Sequence, residues 1–367
     1  MNAVSRSCET THAPGETRTR VLEPDPRSLS RGFGLFFVHI LLYLATLLGA
    51  VANFGLPVNI LFGAANGVFI ALLFIIGHDG CHGSFVPQRG WNLWFARLAF
   101  IPCVHSVTLW RRTHNEMHHF RTNLKGIDQV WAPMSKAEYD AASPFRRWLE
   151  RVYRGPFGPF VYYYGEFWLY RLVVPLAPET RAQWKRHLPD SLFVIAAFIT
   201  TLVAIGFLGS ALAPQRPLWL TYATGWVLPF AVWNYLMGLT IYLNHTHPAI
   251  PWFRNEESWS FHAGNVLGTT HVKLPRRLAP LYSDALSHTA HHADMRLPVY
   301  ALPEAQAELE RTFTGRVQEY TFSLGEYRRI YTACKLFDFD RMRWTDFDGT
   351  PTAPACPMID SAPPVDR

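Results

Sequence analysis

The chain has 367 residues, of which 49% are hydrophobic, 15% aromatic and only 17% charged, with a formal net charge of +6. Soluble domains carry roughly 25% charged residues, so this composition argues against an ordinary soluble protein. The five cysteines, Cys8, Cys81, Cys103, Cys334 and Cys356, form no CxxC pair, which argues against a zinc ribbon, a thiolate-held iron–sulfur cluster and a secreted disulfide scaffold.

In chain order, residues 1–32 lack the apolar stretch of a secretory signal and read as a disordered basic arm. Four segments then approach the roughly 20 apolar residues that span a bilayer. They lie at about 34–51, 60–77, 192–208 and 218–243. Short turns at 53–59 and 209–217 join them in pairs, which predicts two hairpins. Between the hairpins, residues 93–110 are apolar but interrupted by Arg97, Pro102 and His105, and read as a re-entrant or interfacial helix. Residues 156–177 contain Tyr162, Tyr163, Tyr164, Phe167, Trp168 and Tyr170, and read as an interfacial aromatic belt. Residues 346–367, rich in Pro and Ala, read as a disordered tail. The functional domain is expected over 33–345.

Charge sets the expected orientation. Of all Lys and Arg, only Arg216 falls within a hairpin. Cytoplasmic loops carry the excess of Lys and Arg, so both termini and the long central segment are expected in the cytoplasm. The same loops account for the net charge, and no nucleic-acid motif accompanies it. Arginine far outnumbers lysine, which points to a GC-rich bacterial source and hence a bacterial inner membrane.

Half of the 16 histidines sit in three clusters on that same side. They are His78-Asp-Gly-Cys-His82, His114-Asn-Glu-Met-His118-His119 and His288-Thr-Ala-His291-His292. On an α-helix, residues three and four apart share a face. Each cluster is therefore expected to aim its imidazoles at one point, with His119, displaced by one position, letting the second cluster reach two metals. Imidazole suits iron, copper, zinc and nickel. Eight imidazoles exceed one tetrahedral zinc and suit two ions. His245, in Asn244-His-Thr-His-Pro248 at the end of the fourth span, is the candidate ninth ligand. Metal-bound histidine usually gives its other N–H to a carboxylate, carbonyl or water; Asp79 and Asp128 are the first candidates, ahead of Glu116, Asp284 and Asp294.

The order HxxxH, HxxxHH, HxxHH at these intervals resembles the membrane fatty acid desaturases, over roughly residues 70–345, and is closest to the Δ12 acyl-lipid branch. The stretches Trp110-Arg-Arg-Thr-His114, Asp128-Gln-Val-Trp-Ala-Pro133, His245-Thr-His-Pro-Ala-Ile-Pro251 and Gly268-Thr-Thr-His271 add to the likeness. The resemblance implies an all-α integral membrane fold of four transmembrane helices with a helical cytoplasmic cap. It implies two iron ions held by His78, His82, His114, His118, His119, His245, His288, His291 and His292. It also implies O2 as co-substrate, a fatty acyl chain in an apolar tunnel, and electrons from an external ferredoxin or cytochrome b5. Two departures stand out: Gly80-Cys81 is reversed relative to the branch, and the second cluster has one residue more than plant members. A hydroxylase or acetylenase on the same scaffold is the principal alternative. A histidine-rich transporter lacks the required acidic residues in its spans, and a zinc hydrolase lacks HExxH.

Overall fold

The computed structural model describes residues 21–22, 25–275 and 283–356. Most of them are helical. The helices are α1 (Leu29–Val51), α2 (Leu56–His82), α3 (Arg89–Phe100), α4 (Val107–Trp110), α5 (Lys136–Ala141), α6 (Pro144–Tyr153), α7 (Gly158–Tyr162), α8 (Pro178–Arg181), α9 (Trp184–Leu212), α10 (Leu218–Tyr222), α11 (Leu228–His245), α12 (His288–Ala293), α13 (Leu302–Thr312) and α14 (Leu324–Ala333). Among the described residues four π-helices occur: Arg111–His119 continues α4, Tyr163–Val173 continues α7, Ala223–Val227 joins α10 to α11, and Ala263–Leu267 precedes the first strand.

Four helices among the described residues are long and apolar enough to cross a membrane: Leu29–Val51, Leu56–His82, Trp184–Leu212 and the continuous Leu218–His245. They point large apolar side chains outward, as with Leu41, Leu61 and Phe207. In water this would be costly, whereas in hydrocarbon it costs nothing. α2 packs against α1, α3 and α11. The contact with α3 is close because Gly80 lacks a side chain: a Cβ there would stand 2.6 Å from the Asn92 carbonyl. An aromatic core of Phe74, Phe100, Trp110 and Trp233 surrounds the buried His105 beneath the histidine clusters.

The fold is not wholly helical. β1 (Thr270–Lys273) pairs in parallel with β2 (Gln318–Thr321), and β3 (Leu336–Asp338) pairs antiparallel with β4 (Arg343–Thr345). These short pairs satisfy the backbone of segments between the helices. The beginning of the expected N-terminal arm lies outside the described residues. Ser28 caps α1, and its N–H reaches the Tyr300 hydroxyl at 2.8 Å. The expected disordered tail lies partly outside as well. Residues 346–356, however, fold back: the Cys356 N–H bonds the Met342 carbonyl at 2.7 Å, and Cys356 is buried. Pro and Ala content misses this because the segment is fixed by backbone bonds and one buried thiol.

Candidate metal centre

α2 ends in His78 and His82, one turn apart as α-helical spacing dictates. The second cluster lies in the Arg111–His119 π-helix. In a π-turn the backbone bond runs i to i+5, so residues five apart share a face. His114 and His119 therefore stand together. α12 is an α-helix, and His288 and His292 share its face at i, i+4.

The nine imidazoles sort into two groups. His78, His82, His114, His119 and His291 form one; His118, His245, His288 and His292 form the other. Within each, one ring nitrogen per residue lies within 4.8 Å of all the others. The first cluster aims at one point as expected, the second reaches both groups as expected, and the third, expected to aim at one point, divides as well. The second and third clusters each divide between the groups, and the residue that departs from its cluster is His118 rather than His119. The π register is the physical reason.

The nitrogens meet as ligands do. His78 Nε2 is 2.9 Å from His114 Nε2, His114 Nε2 is 3.1 Å from His119 Nε2, and His119 Nε2 is 3.1 Å from His291 Nε2. In the other group His245 Nε2 is 2.8 Å from His288 Nε2. A metal–nitrogen bond of about 2.1 Å puts neighbouring ligands about 3 Å apart at right angles. Two of the rings have a fixed tautomer. His78 donates Nδ1–H to Asp79 at 3.0 Å, and His118 donates Nδ1–H to both Asp128 oxygens at 3.0 Å. A neutral imidazole has only one N–H, so the Nε2 of each presents a lone pair to its neighbours. Lone pairs gathered in this way call for a cation between them.

Protonation points the same way. Burial first, and neighbouring imidazoles second, push His114, His119 and His292 well below the usual histidine range; His288 and His291 follow for the same reasons. Neutral imidazole is the form that binds metal. An all-imidazole donor set suits iron, copper, zinc or nickel.

Asp128 is fully buried and also accepts the N–H groups of Asn123 (2.8 Å) and Val130 (2.9 Å). Asp79 accepts the Val299 N–H at 2.6 Å. Other candidates stand elsewhere. Glu116 pairs with Arg112, and Asp294 with Arg296. His247 stacks on Tyr320 and bonds Arg329, and burial lowers it to about 4. His271 bonds Glu310 at 2.5 Å, away from both groups. His105 bonds the Cys103 carbonyl and the Tyr163 hydroxyl.

Sequence reasoning missed three participants. Asn265 Oδ1 accepts from His292 Nδ1 at 3.0 Å, with Thr122 beside it at 3.2 Å. Gln306 Oε1 accepts the Ala290 N–H within α12 at 2.9 Å. Asn265 and Gln306 have no spacing relation to a cluster, so nothing in the chain pattern marks them; Thr122 stands four residues after His118 and bonds its carbonyl at 2.8 Å, a spacing that could have marked it. A cavity adjoins both groups, lined by Phe74, Ile75, Trp110, Met237, Thr240, Ile241, Asn244, Ala285, Val299 and Leu302 together with His78, Asp79, His114, His288 and His291.

The sequence model of the fatty acid desaturase family matches residues 54–323. A sn-1 oleoyl-lipid 12-desaturase of Synechocystis sp. is 28% identical over 74% of this chain and 74% of its own length. A sn-1 acyl-lipid omega-3 desaturase (ferredoxin) from the same organism is 28% identical over 71% of this chain and 69% of its own. The chloroplastic omega-6 fatty acid desaturase of Arabidopsis thaliana is 26% identical over 76% of this chain but 61% of its own length. The family match takes in both spans that end in a histidine cluster or ligand candidate and all nine converging imidazoles, and the chain belongs to the fatty acid desaturase family.

Proposed function

We propose that this protein introduces a cis double bond at a Δ12 or omega-6-like position of a lipid-linked fatty acyl chain, in an O2-dependent reaction at two iron ions. The observation that carries the reading is one apolar cavity flanked by both imidazole groups. His78, His114 and His291 of the first group and His288 of the second line it, opposite Phe74, Met237 and Ile241. Apolar walls with a few convergent polar groups suit a hydrocarbon whose reacting carbons must be positioned. The names of both Synechocystis relatives favour an acyl-lipid substrate, and that of the oleoyl-lipid 12-desaturase favours the Δ12 position.

His78, His82, His114, His119 and His291 would hold one iron, and His118, His245, His288 and His292 the other. The bound irons would supply the O2-dependent oxidising power that removes two hydrogens from adjacent methylenes. The balance requires O2, two electrons and two protons, and yields the alkene and two waters. Asp79 and Asp128 hold the Nδ1 protons of His78 and His118, which keeps each Nε2 lone pair directed inward. Phe74, Ile75, Met237 and Ile241 hold the chain and exclude water. An error of about 1 Å in such positioning can cost about 100-fold in rate.

Electrons come from a separate carrier. The named donor of the omega-3 relative favours a ferredoxin, with cytochrome b5 as the other expected donor. The catalytic domain is residues 33–345. Two helix hairpins carry a cap over the metals, and the basic loops favour a bacterial inner membrane with termini and metals on the cytoplasmic side.

The test is fatty acid profiling by gas chromatography–mass spectrometry of cells expressing the chain with a ferredoxin system, beside His291→Ala. The expected product is two mass units lighter, with the bond at the Δ12 position, and is absent from the variant. A product sixteen units heavier would replace desaturation by hydroxylation. A product that persists in His291→Ala would overturn the metal assignment.

A further inference from the structure

Helix α6 is amphipathic in the opposite sense to a soluble surface helix. Phe145 and Trp148 point outward, 68% and 57% exposed, and stack on one another at 5.8 Å. Val152, one turn further along, continues the stripe. Phe157, just beyond the helix, is 73% exposed. The inward face is polar. Glu150, Tyr153 and the following Arg154 are buried, and they bond one another or the protein behind them. Arg154 Nε donates to Glu150 at 3.0 Å, and its Nη2 to the Trp131 carbonyl at 3.0 Å. Tyr153 donates to Glu166 at 3.0 Å, and Arg146 pairs with the same carboxylate at 2.7 Å. A soluble protein would bury the aromatics and expose the charges.

The height of α6 along the membrane axis explains the inversion. The continuous helix Leu218–His245 has 28 residues, about 42 Å of rise against about 30 Å of hydrocarbon. Its His245 end must project from the bilayer to meet the other imidazoles. α7, which follows α6, presses on this helix at Gly238, where a Cβ would stand 2.1 Å from the Pro159 carbonyl. Gly238 lies about two turns, roughly 10 Å, below His245. From there an aromatic ladder runs downward without a break: Phe160 on Tyr164, Tyr164 on Trp168, and Trp168 on Phe230 of α11. The exposed face of α6 is therefore continuous with the outer face of the spanning helices at the level where hydrocarbon meets headgroups.

We propose that α6 is an interfacial helix, which lays Phe145, Trp148 and Phe157 into the upper acyl region of the leaflet on the metal side. Arg147 and Arg151 flank the stripe and fit anionic headgroups. Arg151 is held for this by the Tyr139 hydroxyl at 2.7 Å and by the Phe347 ring at 4.7 Å. Helices with aromatics on one face and arginines beside them partition in this way.

The test uses the full chain in lipid nanodiscs. In a Cys8→Ser background, where Cys81, Cys103, Cys334 and Cys356 are buried, Phe145→Cys or Phe157→Cys is labelled with an environment-sensitive fluorophore. Phe37→Cys on the outer face of α1 serves as the lipid reference and Asp340→Cys on the cap as the water reference. Labels at 145 and 157 are expected to emit at blue-shifted wavelengths. Nitroxide lipids labelled high on the acyl chain should quench them as strongly as the label at 37. The blue shift should grow when anionic phosphatidylglycerol replaces phosphatidylcholine. Water-like emission at both positions, matching 340 and indifferent to nitroxide lipid, would overturn the proposal. So would quenching by a nitroxide-labelled second copy of the chain but not by lipid, which would make this face a protein interface. An identical shift in the two lipids would overturn the headgroup role of the arginines.

Discussion

His114 and His119, five residues apart, bring their Nε2 atoms to 3.1 Å, while His118 between them belongs to the opposite group. In α12, His288 and His292, four residues apart, share one group, and His291 takes the opposite one. The two clusters differ by one residue yet divide their histidines in the same way. One is a π-helix and the other an α-helix, and an extra residue in one turn is what distinguishes them. Deleting Glu116, a half-buried residue paired with Arg112, should therefore convert the second cluster to HxxHH on an α-helix and keep both groups. The variant is expected to retain two metals per chain and measurable desaturation. Deleting Ala290 from α12 should lose metal from both groups. Elemental analysis of the purified proteins decides; loss of both metals from the Glu116 deletion would sink the register argument.

Asp128 and Asp79 each serve one group, which makes them separable. Asp128→Asn puts a donor where His118 Nδ1–H needs an acceptor, and Asp79→Asn does the same to His78. Losing such a partner typically costs about 10–100-fold in metal affinity or activity. Chelator titration of the metal-loaded protein should show one weakened site in each single variant and two in the double. Weakening of both sites by either single change would mean that the groups are not independent.

The first histidine cluster, the four long apolar helices and the candidate partners Asp79 and Asp128 are legible in the chain because they rest on local periodicity and contiguous hydropathy. The division of His118 from His114 is not, because an α-helix and a π-helix have the same composition and only the backbone register separates them. Asn265 and Gln306 are invisible for another reason. Each meets a partner on another element, Asn265 with His292 27 residues away and Gln306 with Ala290 16 away. The inverted face of α6 could be found from its strong apolar-to-charged contrast, but the contrast alone does not say which face is outward.

His105 supplies a pH dependence. It is buried and held as one neutral tautomer: Nδ1–H donates to the Cys103 carbonyl at 2.8 Å, and the Tyr163 hydroxyl donates to Nε2 at 2.9 Å. Burial lowers it to about 3. The unfolded chain takes up a proton near 6.5 that the folded chain refuses. Stability from this residue is therefore full above pH 6.5 and is lost as the pH falls from there toward about 3. At pH 5 the loss is about 2 kcal/mol. Melting midpoints of the detergent-solubilised protein should fall between pH 7.5 and 5.5, and less steeply in His105→Gln than in the parent. Parallel slopes would remove His105 from the account.

The folded-back tail bears on the metal centre through one loop. Asp346 Oδ1 accepts the N–H groups of Asp348 (2.9 Å) and Thr350 (2.8 Å), and the Thr352 N–H returns to the Trp344 carbonyl at 3.0 Å. This turn delivers Cys356 to the Pro248 carbonyl, at 3.8 Å from Sγ, while the Trp344 indole donates to the Ile250 carbonyl at 3.2 Å. Pro248 and Ile250 lie in the loop directly after His245. A chain ending at Thr345 would leave the fully buried Trp344 partly uncovered and several backbone bonds unmade. At about 1 kcal/mol net for each bond, the cost is about 2–4 kcal/mol. The expected outcome is a melting midpoint lower by several degrees. Because the disturbed loop adjoins His245 and, through Asn123, the Asp128 that holds His118, metal should leave the four-histidine group at lower chelator concentration, with the five-histidine group unchanged. An unaltered midpoint together with unaltered metal retention would show that the tail does not brace this loop.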